Sequence, residues 1–140
     1  MKIKKKTIIL IALVIVVIAC NDGGNSEKSL VGTKWKLIGF FDTKKNELKE
    51  AEPKGCEGCY TLNFDTDSTA YGRTIANSIY VNLFEIPIRI EIITDVNDVS
   101  RGNCSLFYDA IESLESFKLE GDKLKFYYNS DKNYLLYKRL

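Results

Sequence analysis

A chain of 140 residues with 20 basic and 19 acidic groups, 45% apolar residues and no histidine excludes several classes at once. The apolar content rules out a disordered chain. The absence of a basic excess argues against nucleic acid as a partner, and the missing histidine removes the usual base of hydrolytic catalysis.

The chain opens on Lys2, Lys4, Lys5 and Lys6, then runs without charge from Thr7 to Ala19 and meets Cys20. A positive start, a short apolar core and a small residue at the cut are the parts of an export signal. Thirteen uncharged residues are too few for a membrane-spanning helix, which takes about 20. An ordinary cleavage site wants small residues at −3 and −1, and here −3 is Val17. Val17-Ile18-Ala19-Cys20 reads instead as a lipobox, and an uncleaved anchor helix is the alternative. Residues 1–19 are thus expected to be a lipoprotein signal peptide, with Cys20 the lipidated first residue of the mature chain. One acyl chain holds a membrane marginally, at about 0.8 kcal/mol per buried methylene, while two or three hold it stably. The expected partner is the membrane, reached through that lipid. The expected location is the cell envelope, at the outer membrane or cell surface rather than the inner membrane. Cleavage takes four lysines away and leaves 16 basic against 19 acidic groups, net −3. Residues 20–29 form the lipidated cysteine and a polar, Gly- and Ser-bearing tether, with Asp22 where sorting signals lie.

Residues 30–140 are enough for one domain with one core. Thr33 to Phe41 alternates around Trp35 and Leu37 as a strand, and Asp42 to Asn46 turns so that Glu47 to Glu50 can pair back. Pro53 to Gly58 is a loop. Cys59 to Phe64 and Thr69 to Ile75 are strands about the turn at Asp65 to Ser68. Ser78 to Ile93 is β-branched but too long for one strand, and Pro87, lacking an N–H, marks an edge, bulge or break. Asp95 to Asn103 is a polar loop. Residues 105–114 are the one predicted helix: Leu106, Phe107, Ala110, Ile111 and Leu114 fall on one stripe, and Ser105 is placed to cap its start. Two hairpins close the chain, turning at Glu120-Gly121-Asp122 and at Asn129 to Lys132. The pattern predicts a mainly β fold, an open antiparallel barrel or curled sheet of about eight strands with one short helix.

Leu30-Val-Gly-Thr-Lys-Trp-Lys-Leu37 resembles the opening L-x-G-x-x-W-x-L of META-domain (HslJ-like) proteins. The resemblance continues through a mid-chain cysteine loop, a short helix, the run L-x-S-F-x-L-x-G-x-x-L-x-F-Y from Leu114 to Tyr127, and the last strand Tyr134-Leu-Leu-Tyr137. It spans residues 30–140 and is similar in particular to small META or lipocalin-like lipoproteins of Gram-negative gut anaerobes. The chain departs from that pattern at Gly55-Cys-Glu-Gly-Cys59, where META domains carry a glycine-rich, Asn-bearing loop. The resemblance implies an open antiparallel barrel with one helix, and it brings no reaction with it.

Cys56-x-x-Cys59 is the sharpest local motif. A redox pair normally opens a helix, where the dipole lowers the thiol pKa, and this one leads into a strand. Zinc needs four ligands, and only Cys104 remains beside Cys56 and Cys59 once Cys20 is lipidated. Export favours a structural disulfide, with Cys56–Cys59 ahead of a bridge to Cys104 and Cys104 left spare. Asp65/Asp67 and Asp95/Asp98 are carboxylate pairs in turns, where Asp is a good turn residue, and Asp65-Thr-Asp-Ser68 lacks the Gly and distant Glu of a calcium loop. No metal or cofactor is expected. Tyr127, Tyr134 and Tyr137 either face a ligand or pack the sheet, and packing is favoured. The expected role is that of a monomeric, non-enzymatic binding or structural domain whose protein partner the residues do not name. Two alternatives are an inhibitor of an external protease or lysozyme acting through loop 53–59, and a carrier of a small apolar ligand, which needs an apolar lumen.

Overall fold

The computed structural model describes residues 29–140. The signal peptide expected at 1–19, the lipidation of Cys20 and the tether up to residue 28 lie outside the described residues.

Among the described residues, nine strands and one helix follow in chain order: β1 (Lys34–Asp42), β2 (Glu47–Glu50), β3 (Thr61–Phe64), β4 (Thr69–Arg73), β5 (Ser78–Asn82), β6 (Arg89–Ile92), α1 (Cys104–Ile111), β7 (Leu114–Glu120), β8 (Lys123–Tyr128) and β9 (Asn133–Arg139). Eight strands form one path in the order β6-β5-β4-β3-β1-β9-β8-β7, and β2 branches onto the second half of β1. Every pairing is antiparallel. The sheet curls into a barrel that does not quite close, because its two ends, β6 and β7, are not paired with each other.

Alternation explains the interior. Side chains two apart on a strand share a face, so each strand gives one row inward. The register sets these rows against one another: Trp35 opposite Leu62, Phe40 opposite Leu135, Leu124 opposite Tyr137, Ala70 opposite Val81, Val81 opposite Ile90. All are buried and belong to one contiguous cluster, which α1 joins through Phe107, Ala110 and Ile111. Side chains therefore fill the interior. Tyr137 lies within it fully buried, its ring edge-on to Phe126 and its hydroxyl without a partner among the described residues.

The opening motif has a physical basis. Gly32 takes a left-handed backbone at φ 72°, which suits glycine. The resulting turn brings the Thr33 N–H and hydroxyl onto the Leu30 carbonyl at 3.0 and 2.6 Å. The Trp35 indole N–H then donates to the Thr33 hydroxyl at 2.7 Å, so this large side chain enters the barrel with its polar atom satisfied.

The helix departs from expectation at both ends. It covers Cys104–Ile111, and Leu114 opens β7 instead. Leu114 suits the helical stripe and a strand equally well, and pairing with Tyr128 decides for the strand. Ser105 is not the cap. Asn103 occupies that position and makes no capping bond, because its side-chain oxygen accepts from the Glu52 N–H. Phe117 is 39% exposed on β7, which is an edge of the sheet.

Leu135→Ala, at the centre of the filled interior, is expected to lower unfolding stability by about 2–5 kcal/mol in urea titration. Phe117→Ala, at the open edge, is expected to cost clearly less.

Candidate functional site

Two surface features and one buried network stand out. The first feature is the loop between β2 and β3. Cys56 and Cys59 are joined in a disulfide with their Cα atoms 5.4 Å apart, and Cys104 is free and buried. The Lys36 ammonium, projecting from β1, donates to the Cys56 carbonyl at 2.6 Å and also to the Cys59 carbonyl. Burial lowers the Lys36 pKa. At its start the loop docks on the helix: Glu52 N–H donates to the Asn103 side chain, and Asn103 N–H donates to the Glu52 carbonyl at 3.1 Å. Gly102, with φ 49°, sits so close that a Cβ there would run into the Glu52 carbonyl. The loop is thus held at three places while Pro53, Lys54, Gly55, Glu57 and Gly58 remain exposed. Beside it lies a cleft of about 400 Å³ lined by Lys36, Pro53, Glu57, Tyr60 and Leu140 among others.

The second feature is the barrel seam. A cleft of about 660 Å³ runs between β6 and α1, lined by Ile86, Ile88, Ile90, Ile92 and Ile111, with Arg89 and Glu112 charged among them. Its outer lip is the β5–β6 connection, where Ile86 is 93% and Phe84 82% exposed. The break expected near Pro87 falls within this connection.

The buried network centres on Asp98, which the sequence suggests is an ordinary turn residue. Asp98 does lie in a turn, accepting from Arg101 N–H through its carbonyl, but its side chain is fully buried. Its carboxylate accepts from the Tyr108 hydroxyl at 2.5 Å, the Thr74 hydroxyl at 2.8 Å, the Ala76 N–H at 3.1 Å and the Asn77 amide at 3.3 Å. Burial alone would raise this carboxyl, and the bonds from Tyr108, Thr74 and Ala76 outweigh it and hold the pKa below the ordinary Asp value. Asn77 extends the network by taking Val96 N–H and giving to Val96 O, both at 2.8 Å. The β4–β5 turn, the loop after β6 and the helix are thereby fastened to one carboxylate. Cys104 borders this cluster and accepts from the Tyr60 hydroxyl at 3.4 Å. Burial pushes its thiol pKa up, so it stays protonated and inert as a nucleophile at neutral pH.

The remaining sequence candidates separate. Asp65 caps its own turn, accepting from Thr66 N–H and the Thr69 hydroxyl. Asp67 instead holds the start of the domain, accepting from the Ser29 hydroxyl at 2.7 Å and Leu30 N–H at 2.9 Å. Asp95 is exposed. Of the three tyrosines, Tyr137 is core, while Tyr127 and Tyr134 lie half-buried on the outer face. There Tyr134 stacks on Phe41 at 4.7 Å and lies under the Lys125 ammonium. The roles of Lys36, Asn103 and Asn77 were not legible, since each depends on a contact between segments far apart in the chain.

No family model matches the chain. A protein of Tannerella forsythia named as a lipoprotein is 39% identical over 109 residues, covering 78% of this chain and 74% of that protein. Among solved structures, a DUF4847 family protein from Bacteroides vulgatus shares the fold, with a TM-score of 0.57 at 12% identity over 80% of this chain and 95% of that one.

Asp98→Asn is expected to destabilise the domain at neutral pH by about 1.5–3 kcal/mol, because an amide cannot accept from all four donors. A depressed folded pKa gives stability that is present above the ordinary Asp range and lost as pH falls through the folded value. The gap between wild type and variant, read from urea midpoints, is therefore expected to narrow below about pH 4.

Proposed function

The chain belongs to the same family as the Tannerella forsythia lipoprotein, and from that premise we propose that it is a lipid-anchored envelope protein carrying a non-enzymatic, monomeric binding domain. Residues 1–19 are the export signal in this reading, and Cys20 carries the acyl chains that hold the domain at the membrane, on the outer membrane or cell surface. The observation that carries it is the agreement of two features: the lipobox at Val17 to Cys20 and a relative named as a lipoprotein. The domain itself is META-like. In support, Leu30, Gly32, Trp35 and Leu37 act as one unit, a left-handed turn that seats an indole in the barrel. The filled interior favours recognition at the surface over carriage of a ligand in a central lumen.

Mass spectrometry of protein taken from the envelope is expected to find Cys20 as an acylated first residue, with processing abolished by Cys20→Ala. A full-length chain bearing a free Cys20 thiol would refute the reading.

A second reading, an inhibitor of an external protease or lysozyme, is favoured by one specific observation. Loop 53–59 is exposed yet pinned by a disulfide, by the Lys36 ammonium and by Asn103. A rigid loop loses little entropy on binding, which is how a short segment reaches high affinity. If this reading holds, screening secreted hydrolases will find one that is inhibited, and Cys56→Ser/Cys59→Ser will weaken that inhibition about tenfold or more while leaving the fold intact. Equal inhibition by the double variant would exclude the loop.

A further inference from the structure

We propose that one end of the barrel, the end bearing Phe84 and Ile86, lies against the lipid bilayer and inserts these two side chains into its interface. This rests on the lipid anchor at Cys20 proposed above. Phe84 and Ile86 are the most exposed large apolar side chains among the described residues, at 82% and 93%. Neither supports the core. They stand together on the short β5–β6 connection, an aromatic and a branched aliphatic separated only by Glu85. Such groups on a loop tip favour an apolar boundary over water.

Their position says which boundary. Leu83 N–H, next to Phe84, donates to the Ser68 carbonyl at 2.8 Å. Asp67, next to Ser68, binds Ser29 and Leu30, the first described residues. The apolar loop therefore sits one β-turn away from the point where the lipid-bearing segment joins the domain. From Cys20 to Ser29 the chain reaches about 30 Å at full extension. A lipid on Cys20 thus keeps this end of the barrel close to the membrane. Two further exposed apolar side chains lie at the same end: Val31 follows Leu30, and the Leu140 N–H donates to Lys34 O at the start of β1. At the opposite end the turns 43–46 and 129–132 are polar throughout, and Ile93, Val96 and Val99 in the loop after β6 are only about half exposed, against 82% and 93% for Phe84 and Ile86. The half-exposed Val96, in the loop after β6 beyond that far end, supplies an internal control.

The mature lipidated protein is reconstituted into phosphatidylcholine vesicles with and without chain-brominated lipid, as Phe84→Trp and separately as Val96→Trp. Trp35 is buried in the barrel and gives a common background. Both positions are surface sites, and circular dichroism confirms that each variant is folded. The indole introduced by Phe84→Trp is expected to emit further to the blue and to lose about half or more of its intensity to brominated chains, as interfacial insertion of about 5–10 Å requires. The Val96→Trp indole is expected to stay water-exposed and unquenched. Equal quenching at the two positions overturns the inference. So does a Phe84→Trp indole that remains water-exposed on protein that floats with the vesicles, and that outcome leaves the anchor standing and points to a protein partner for the loop. Protein that fails to float, and behaves as Cys20→Ala does, overturns the anchor and the inference together.

Discussion

The filled interior is the constraint on which the rest of this protein depends. Large apolar side chains from most of the strands meet in one cluster, with Trp35, Phe126 and Tyr137 among the largest. Each fully buried large apolar residue is worth about 1.5–3 kcal/mol, so the barrel is held by what fills it. A lumen occupied by its own side chains has no room for a guest. Any surface open to a partner therefore lies on the rims, the edges and the loops, the one between β2 and β3 among them.

The second constraint follows from the first. A sheet of eight strands in path order that does not close has two free edges. Here the connection between the edges contains the helix, which adds Phe107, Ala110 and Ile111 to the core beside β6. A helix of only 8 residues without a capping side chain has little stability of its own. It is held by burial and by Tyr108, whose hydroxyl reaches Asp98. Asp98 in turn gathers donors from the β4–β5 turn, so the irregular segment after β6 is built around a carboxylate rather than around hydrophobic packing. Neutral donors suffice to keep it charged when there are several of them.

Much of this was legible in the residues. Period-two alternation and turn residues place most of the strands, because alternation reports the two faces of a sheet directly. The branch strand β2 and the break around Pro87 are also visible in that way. The helix boundaries were not, because Leu114 satisfies both periodicities and only its partner Tyr128 distinguishes them. Ser105 had the chemistry of a cap, but the chain reaches the helix one residue earlier, and Asn103 is drawn away by Glu52. The buried role of Asp98 was illegible for a related reason. An aspartate among Asn, Ser and Val looks like a turn, and its burial comes from Thr74 and Tyr108, which lie 24 and 10 residues away. Local pattern reports faces and turns, whereas sites assembled from distant segments leave little trace in it.

The Cys56–Cys59 bridge spans a sequence separation of 3, while the third cysteine of the domain arrives only at position 104. A link so short can close before any strand has found its neighbour, since it needs no native topology to bring the sulfurs together. In the exported chain proposed above, these two thiols precede Cys104 across the membrane and can pair before it emerges. That order of emergence disfavours scrambled pairings with Cys104. The odd thiol is carried into the core, where oxidants do not reach it.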